Sequence, residues 1–225
     1  MEFKSTKEVS SSRFVALIVG SSGIGKTSQV RFLPEDRTLI ISAEAGLLCL
    51  KGTDFPVKEI KSTDDLMDIY NFLTKEPKLF DYIFIDSLTE IGEMVLTELK
   101  NDPKYADPKM ALKMYGQYND IMTKIVKVFR DLTDYSVIFT CLDEVVKNGV
   151  ETMEEFNLPG SSVKSSIKAW FDLVLHLKAY KKEDGEQVRK FITDATESRL
   201  AKDRSGLLDS YEDADLSAII NKVLL

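Results

Sequence analysis

Apolar positions along this chain follow two rhythms, and their alternation sets the first expectation about its architecture. Phe14 to Val19, Thr38 to Ser42, Tyr82 to Ile85 and Ser136 to Leu142 are short apolar, β-rich runs, and Val57 to Ile60 is a weaker one. Runs of this length without polar alternation read as strands buried on both faces. Between them, Leu66, Ile69, Tyr70 and Leu73 recur at helical spacing and predict a helix over Asp64 to Lys75. Further helices are expected over Glu90 to Lys100 and, from Ile121, Ile125, Val128 and Phe129, over Asn119 to Asp131. The intervening NDPKYADPKMALKMYGQYN is polar and interrupted by Pro103 and Pro108, which predicts a loop or short insertion. Asp143 to Lys168, with Gly149, Pro159, Gly160 and a serine cluster, is expected to be irregular. Phe171 to Tyr180 and Gln187 to Thr193 flank Glu183-Asp184-Gly185 as a hairpin would, and Tyr211 to Leu225 reads as a C-terminal helix.

Strands alternating with helices imply an α/β fold: a mostly parallel sheet flanked by helices, with a C-terminal β-hairpin. The length of 225 residues suits one sizeable core, so a single domain over residues 1–225 is expected. In such sheets ligands bind at the carboxyl ends of the strands. Gly20, Ser42 to Glu44, Asp86 and Thr140 all fall at such ends.

The first strand runs into Gly20-Ser21-Ser22-Gly23-Ile24-Gly25-Lys26-Thr27, which fits G-x-x-x-x-G-K-[ST], and Ser28 follows. Glycines there let the backbone curl so that successive N–H groups point at phosphate oxygens, while the lysine neutralises β- and γ-phosphates and the threonine hydroxyl reaches Mg²⁺. A helix is expected to begin at this point, its N-terminal end adding to the positive field. Asp86, closing a later strand, suits the acid that supports Mg²⁺ together with Thr27. Glu44 follows another strand and precedes Ala45-Gly46, where a carboxylate could orient or activate water for attack on a γ-phosphate, or simply be a turn acid.

Charge and cysteine usage narrow the classes. A net charge of −7 and an isoelectric point near 5.0 give no global attraction to nucleic acid, so any such contact must be local. The amino-terminal MEFKSTKEVSSS lacks the apolar centre of a secretory signal, and no apolar run approaches the roughly 18 residues of a membrane span. These features predict a cytoplasmic protein without a membrane partner. Cys49 and Cys141 lie in apolar segments and are expected to be buried free thiols. His176, the only histidine, lies within FDLVLHLKAY and reads as a packed strand residue.

Together GSSGIGKT, LIISAEAGL, YIFIDS, VIFT, the LPG of Leu158 to Gly160 and AKDRSG resemble the RecA-like ATPase core. Within it, the layout resembles small phage-encoded proteins described as single-domain RecA-like single-strand annealing proteins. The resemblance implies a RecA-like P-loop NTPase fold that binds ATP and Mg²⁺ and hydrolyses ATP slowly, with stimulation by DNA. It implies that Glu44 is the water-activating glutamate, Asp86 the Mg²⁺-side acid, and Lys202 and Arg204 a basic pair offered to a neighbour's γ-phosphate in a ring or filament. Its partners are then single-stranded DNA and a single-strand DNA-binding protein, in the host cytoplasm for a phage protein. The stretches after Lys100 and after Asp143 match the two DNA-facing loops. RecA has a glutamine where this chain has Thr140, Cys141 and Leu142, a departure that implies either no coupling of nucleotide to the second loop or coupling routed through Thr140.

That second stretch offers Lys147, Lys164 and Lys168 with four serines for DNA phosphates, and Phe156 and Trp170 as aromatic candidates, against Glu151, Glu154 and Glu155. The alternative reading is a P-loop kinase or other NTPase acting on a small molecule without DNA. A kinase needs cations over its acceptor, and Arg130 is the lone arginine between Asp86 and Asp143.

Overall fold

The computed structural model describes residues 3, 5, 13–44, 46–148, 151–196 and 200–224. Most of the amino-terminal dodecapeptide, Ala45 of the turn after Glu44, and Gly149 therefore lie outside the described residues. In chain order the strands and helices are β1 (Val15–Gly20), β2 (Thr38–Ser42), β3 (Val57–Glu59), α1 (Thr63–Lys75), β4 (Tyr82–Asp86), α2 (Leu88–Asn101), α3 (Ala111–Arg130) and β5 (Ser136–Asn148). They continue with β6 (Glu151–Phe156), α4 (Ser161–Ile167), β7 (Leu173–Lys181), β8 (Gln187–Ile192), β9 (Lys202–Asp203), β10 (Tyr211–Asp213) and α5 (Leu216–Leu224).

One sheet runs in the order β10-β8-β7-β1-β5-β4-β2-β3, with β6 added to β5 and β9 to β7. The six strands from β7 to β3 are parallel, and β8, β10, β6 and β9 join antiparallel. Because successive strand residues point to opposite faces, Leu17, Ile41, Ile85 and Phe139 pack against helices on one side, and Ile18, Ile40, Phe84 and Ile138 on the other. The first side carries α1, α2 and α3 through Leu66, Ile91, Met122 and Phe129. The second carries α5 through Leu216 and Ile219, together with Val30 and Leu33. This is the expected α/β architecture, a mostly parallel sheet flanked by helices, and β7–β8 is the expected C-terminal hairpin. Among the described residues no helix is long and apolar enough to cross a membrane.

Element boundaries differ from expectation where side chains cap the backbone. The Ser62 hydroxyl accepts from the Asp65 N–H while the Asp65 carboxylate accepts from the Ser62 N–H, a capping box that starts α1 at Thr63. Ser87 starts α2 at Leu88 in a similar way, its hydroxyl accepting from the Glu90 N–H. The expected loop before Asn119 is instead two 3-10 turns and the first half of α3. Pro103 and Pro108 open those turns behind Asp102 and Asp107, whose carboxylates accept from Lys104 and Lys109 N–H at 2.9 Å each. Met114, Tyr118 and Met122 then bury one helical face, so the polar residues around them belong to its wet side. At the other end, Tyr211–Asp213 pairs with β8 as a strand, and α5 begins after Asp215, whose carboxylate accepts from Ser217 N–H at 2.8 Å.

The expected irregular stretch from Asp143 is a long hairpin of β5 with β6, followed by α4. Alternating charges hid its strand pattern, and cross-strand ions hold it. Lys178 on β7 places its ammonium 2.9 Å from Asp143 Oδ2 and 2.7 Å from Glu154 Oε1. His176, fully buried, has Nε2 3.0 Å from Asp143 Oδ2 and Nδ1 3.3 Å from Glu154 Oε2. The three donors Asp143, Glu154 and His176 lie within 4.8 Å of one another, but the Lys178 ammonium already bridges both carboxylates. Burial alone would raise the Asp143 pKa; hydrogen bonds from His176 and Lys178 outweigh it and hold the carboxyl far below its ordinary 3.8. A depressed carboxyl stabilises the fold above its unfolded value, and that contribution is lost as pH falls through the folded one. Lys178→Met is expected to cost about 2 kcal/mol at neutral pH, because it leaves two half-buried carboxylates short of a cation. Urea unfolding would measure the loss, and the wild-type advantage should shrink below about pH 4 as the unfolded carboxyls protonate.

Candidate functional site

The carboxyl edge of the parallel strands gathers the expected chemistry. β1 ends at Gly20, and a tight turn leads to a 3-10 helix over Thr27–Phe32. Glycine is required at the first position because a Cβ there would lie 2.8 Å from the Leu177 carbonyl oxygen and 3.0 Å from Ile24 Cγ2. Gly25 has φ of 107°, a conformation strained for any side chain. The expected helix thus begins on time but is a six-residue 3-10 segment. Pro34 biases Leu33 to an extended backbone, and i→i−3 bonds such as Leu33 N to Val30 O close the last turn.

Lys26 folds back across the loop, its Nζ donating to Gly20 O at 2.9 Å and Ser21 O at 3.1 Å. Burial pushes its pKa below the ordinary value, while Asp86 and Glu44 oppose that shift. A phosphate entering here would exchange two neutral carbonyl partners for an anionic one, the stronger kind of hydrogen bond.

Asp86 is 3% exposed and sits between two hydroxyls. Thr27 Oγ1 donates to its Oδ2 at 2.7 Å, and Thr140 Oγ1 donates to its Oδ1. Hydroxyl and carboxylate oxygens are the hard donors that Mg²⁺ selects, so Thr27 and Asp86 fit the ion, which would neutralise phosphate charge when bound. Glu44 leaves β2 two residues after Ser42. Its Oε1 accepts from Ser87 Oγ at 2.7 Å, and its backbone carbonyl accepts from Ser42 Oγ at 2.8 Å. Two serines thereby fix a half-buried carboxylate beside Asp86.

These residues line a cleft of about 640 Å³ formed by Ser22, Gly23, Gly25, Lys26, Thr27, Ser28, Ala43, Glu44, Cys49, Asp86, Glu90 and Leu142. Gly20, Ser21 and Ile24 of the sequence motif are not on its wall: the first two give their carbonyls to Lys26, and Ile24 packs against the core. Glu90 joins the site from the first turn of α2. Burial raises its pKa, with help from Glu44 and Glu93. The Ser87-x-x-Glu90 spacing, a capping pattern one strand-end beyond Asp86, was the signal that could have found it. Cys49 is exposed, contrary to expectation, because Leu50 is the buried residue of its short 3-10 turn. Cys141 is buried as expected, its thiol pushed up to about 12 by burial.

Lys202 and Arg204 stand elsewhere. β9 pairs with Leu173 and Val174, and Leu173 is level with Ala16 at the amino end of β1, the opposite edge of the sheet from the phosphate loop. Lys202 is not presented outward: its Nζ donates to the carbonyls of Phe171 at 2.6 Å and Lys168 at 3.2 Å. Arg204 pairs with Asp172 at 2.6 Å and remains more than half exposed. Neither reaches the cleft of its own chain.

The expected DNA face is assembled only in part. Lys164 and Lys168 meet at a small cleft of about 260 Å³, but Lys164 is ion-paired with Glu144 and lies 3.3 Å from Glu155 Oε2, so its charge is already answered. Lys168 is half-buried, and burial lowers its pKa. Lys147 is exposed on the β5–β6 hairpin. Phe156 is 2% exposed and belongs to the core, not to a base platform. Trp170 packs against the core, with the Lys127 ammonium 5.9 Å from its ring centre.

The sequence profile of a protein family described as AAA domain matches residues 12–205. No curated protein matches the chain. Among solved structures, the crystal structure of the RadB recombinase is similar at 12% sequence identity and a TM-score of 0.43, over 89% of this chain and 90% of that one.

Proposed function

The chain belongs to the AAA domain family, and from that premise we propose that it works as a single RecA-like ATPase domain acting on single-stranded DNA in annealing or recombination. ATP with Mg²⁺ occupies the phosphate loop, Lys26 and the N–H groups of the loop hold the β- and γ-phosphates, and Glu44 orients the attacking water. The observation that carries this reading is the convergence of Lys26, Thr27, Asp86 and Glu44 on one cleft, with Thr140 and Ser87 bonded to its two carboxylates. Water attack is favoured over transfer to a second phosphorylated substrate because, among the described residues, the wall away from the loop carries Glu44, Asp86 and Glu90, and no arginine. An anionic acceptor would be repelled there.

DNA is assigned to the β5–β6 side. β5 carries Thr140, bonded to Asp86, and runs straight on into the hairpin with exposed Lys147, so a change at the acid has a short path to that surface. Phosphate release measured with and without a single-stranded oligonucleotide tests the reading. Stimulation by DNA supports it, and phosphorylation of a nucleoside acceptor in place of water ends it.

Since Lys202 and Arg204 lie across the sheet from the cleft, any action on a γ-phosphate is on a neighbour's, in a ring or filament. Arginine supplied in trans is worth roughly 10³–10⁵ in rate. Turnover per subunit should then rise with protein concentration, and Arg204→Ala should bind ATP normally but hydrolyse it poorly. Mixing that variant with Lys26→Ala should restore activity, since each lends the half-site the other lacks. A mixture no more active than its parts would show that each chain works alone.

A further inference from the structure

Arg189 differs from the other arginines among the described residues. Arg13 donates to Arg130 O, Arg31 to Cys49 O, and Arg37, Arg130 and Arg204 pair with Asp81, Asp131 and Asp172. The Arg189 guanidinium has no hydrogen-bond or ion-pair partner among the described residues. Its place in the fold is specific. β8 pairs Arg189 with Ala179 and Phe191 with Leu177, so Arg189 shares the sheet face of those residues, where the 3-10 helix after the phosphate loop also packs. Its Nε and Cδ lie 3.7 and 3.8 Å from the point a Cβ on Gly25 would occupy. An unpaired, exposed cation therefore lies against the residue that precedes Lys26.

The sheet order separates this cation from the hydrolytic groups. Asp86 on β4 and Glu44 after β2 stand on one side of β1, and Arg189 on β8 stands on the other. A nucleoside polyphosphate laid along the loop with its γ-phosphate toward the acids would turn its proximal phosphates toward β8. A guanidinium is suited to that task because its planar fork donates two parallel bonds to phosphate oxygens.

We propose that Arg189 is a second phosphate-binding cation of this chain's own site, clasping the α- and β-phosphates of the bound nucleotide. The inference rests on the assignment of nucleotide to the phosphate loop. A clasp on the proximal phosphates acts equally on ATP, ADP and the transition state, so it sets affinity and KM and leaves kcat unchanged. A cation acting on the γ-phosphate would instead separate ATP from ADP.

The competing role for Arg189 is to shield Gly25 with its aliphatic stem, and substitution can separate the two. Arg189→Met keeps an unbranched stem over Gly25 and removes the charge; Arg189→Lys restores a charge without the fork. Calorimetric titration of wild type, both variants and Lys26→Ala with Mg-ATP and Mg-ADP is the test. Arg189→Met should bind both nucleotides roughly tenfold more weakly, with Arg189→Lys between it and wild type, and kcat at saturating ATP should hold within about twofold. Wild-type affinity in Arg189→Met would show that the side chain only covers the glycine, and a loss confined to ATP would remove the proximal assignment. Either result beside a binding defect in Lys26→Ala would leave the nucleotide site standing. A wild-type protein that takes up neither nucleotide would overturn both.

Discussion

Lys26→Ala is expected to bind ATP at least about a hundredfold more weakly and to lose turnover. Two charge-assisted contacts to phosphate are worth about 1.5–3 kcal/mol each, and about 1.4 kcal/mol is tenfold in affinity. Among the described residues Lys26 is the lone cation on the wall of the cleft, and its ammonium is bonded to the Gly20 and Ser21 carbonyls of the loop. The same substitution leaves the Gly20 and Ser21 carbonyls without that donor, so unfolding should be measured beside binding to separate a lost ligand contact from a loosened loop. Unchanged ATP affinity in a folded variant would remove the site assignment.

Glu44→Gln should do the opposite of a binding mutation. Hydrolysis is expected to fall by about 10²–10⁴, the usual worth of a positioned general base, with ATP affinity retained. The amide preserves the local geometry, because its carbonyl oxygen can still accept from Ser87 Oγ as the carboxylate does at 2.7 Å. What it lacks is the basicity to take a proton from water. Equal turnover by the two proteins in single-turnover assays would reduce Glu44 to a turn acid whose role is to fix Ser87.

The residues of this site were legible in the sequence because strand ends are. An apolar run that stops at Gly20, Ser42 or Asp86 declares both the strand and the edge on which its last residue sits, and parallel pairing does the rest; Thr140, expected at such an end, lies inside β5, which continues to Asn148 as the hairpin strand. The β5–β6 hairpin was not legible, since Asp143, Glu144, Lys147, Glu154 and Glu155 look like a solvated loop until His176 and Lys178 are brought beside them from β7. Lys164 misled for the same reason: its carboxylate partners Glu144 and Glu155 lie on the two strands of that hairpin. Arg189 was invisible because nothing in QVRKFI says which face of β8 meets the phosphate loop; only the register with Ala179 decides it. Spacing showed that Lys202 and Arg204 follow the hairpin, but their position at the far edge depends on β9 pairing with the start of β7.

ATP hydrolysis in the cleft around Lys26, as proposed, is tested most directly by steady-state phosphate release from Mg-ATP by wild type and Lys26→Ala purified in parallel, with single-stranded DNA present. Wild type should release phosphate at a rate that saturates with ATP, and the variant should stay at background. Equal release by both proteins, or none by a folded wild type that binds ATP, would contradict it.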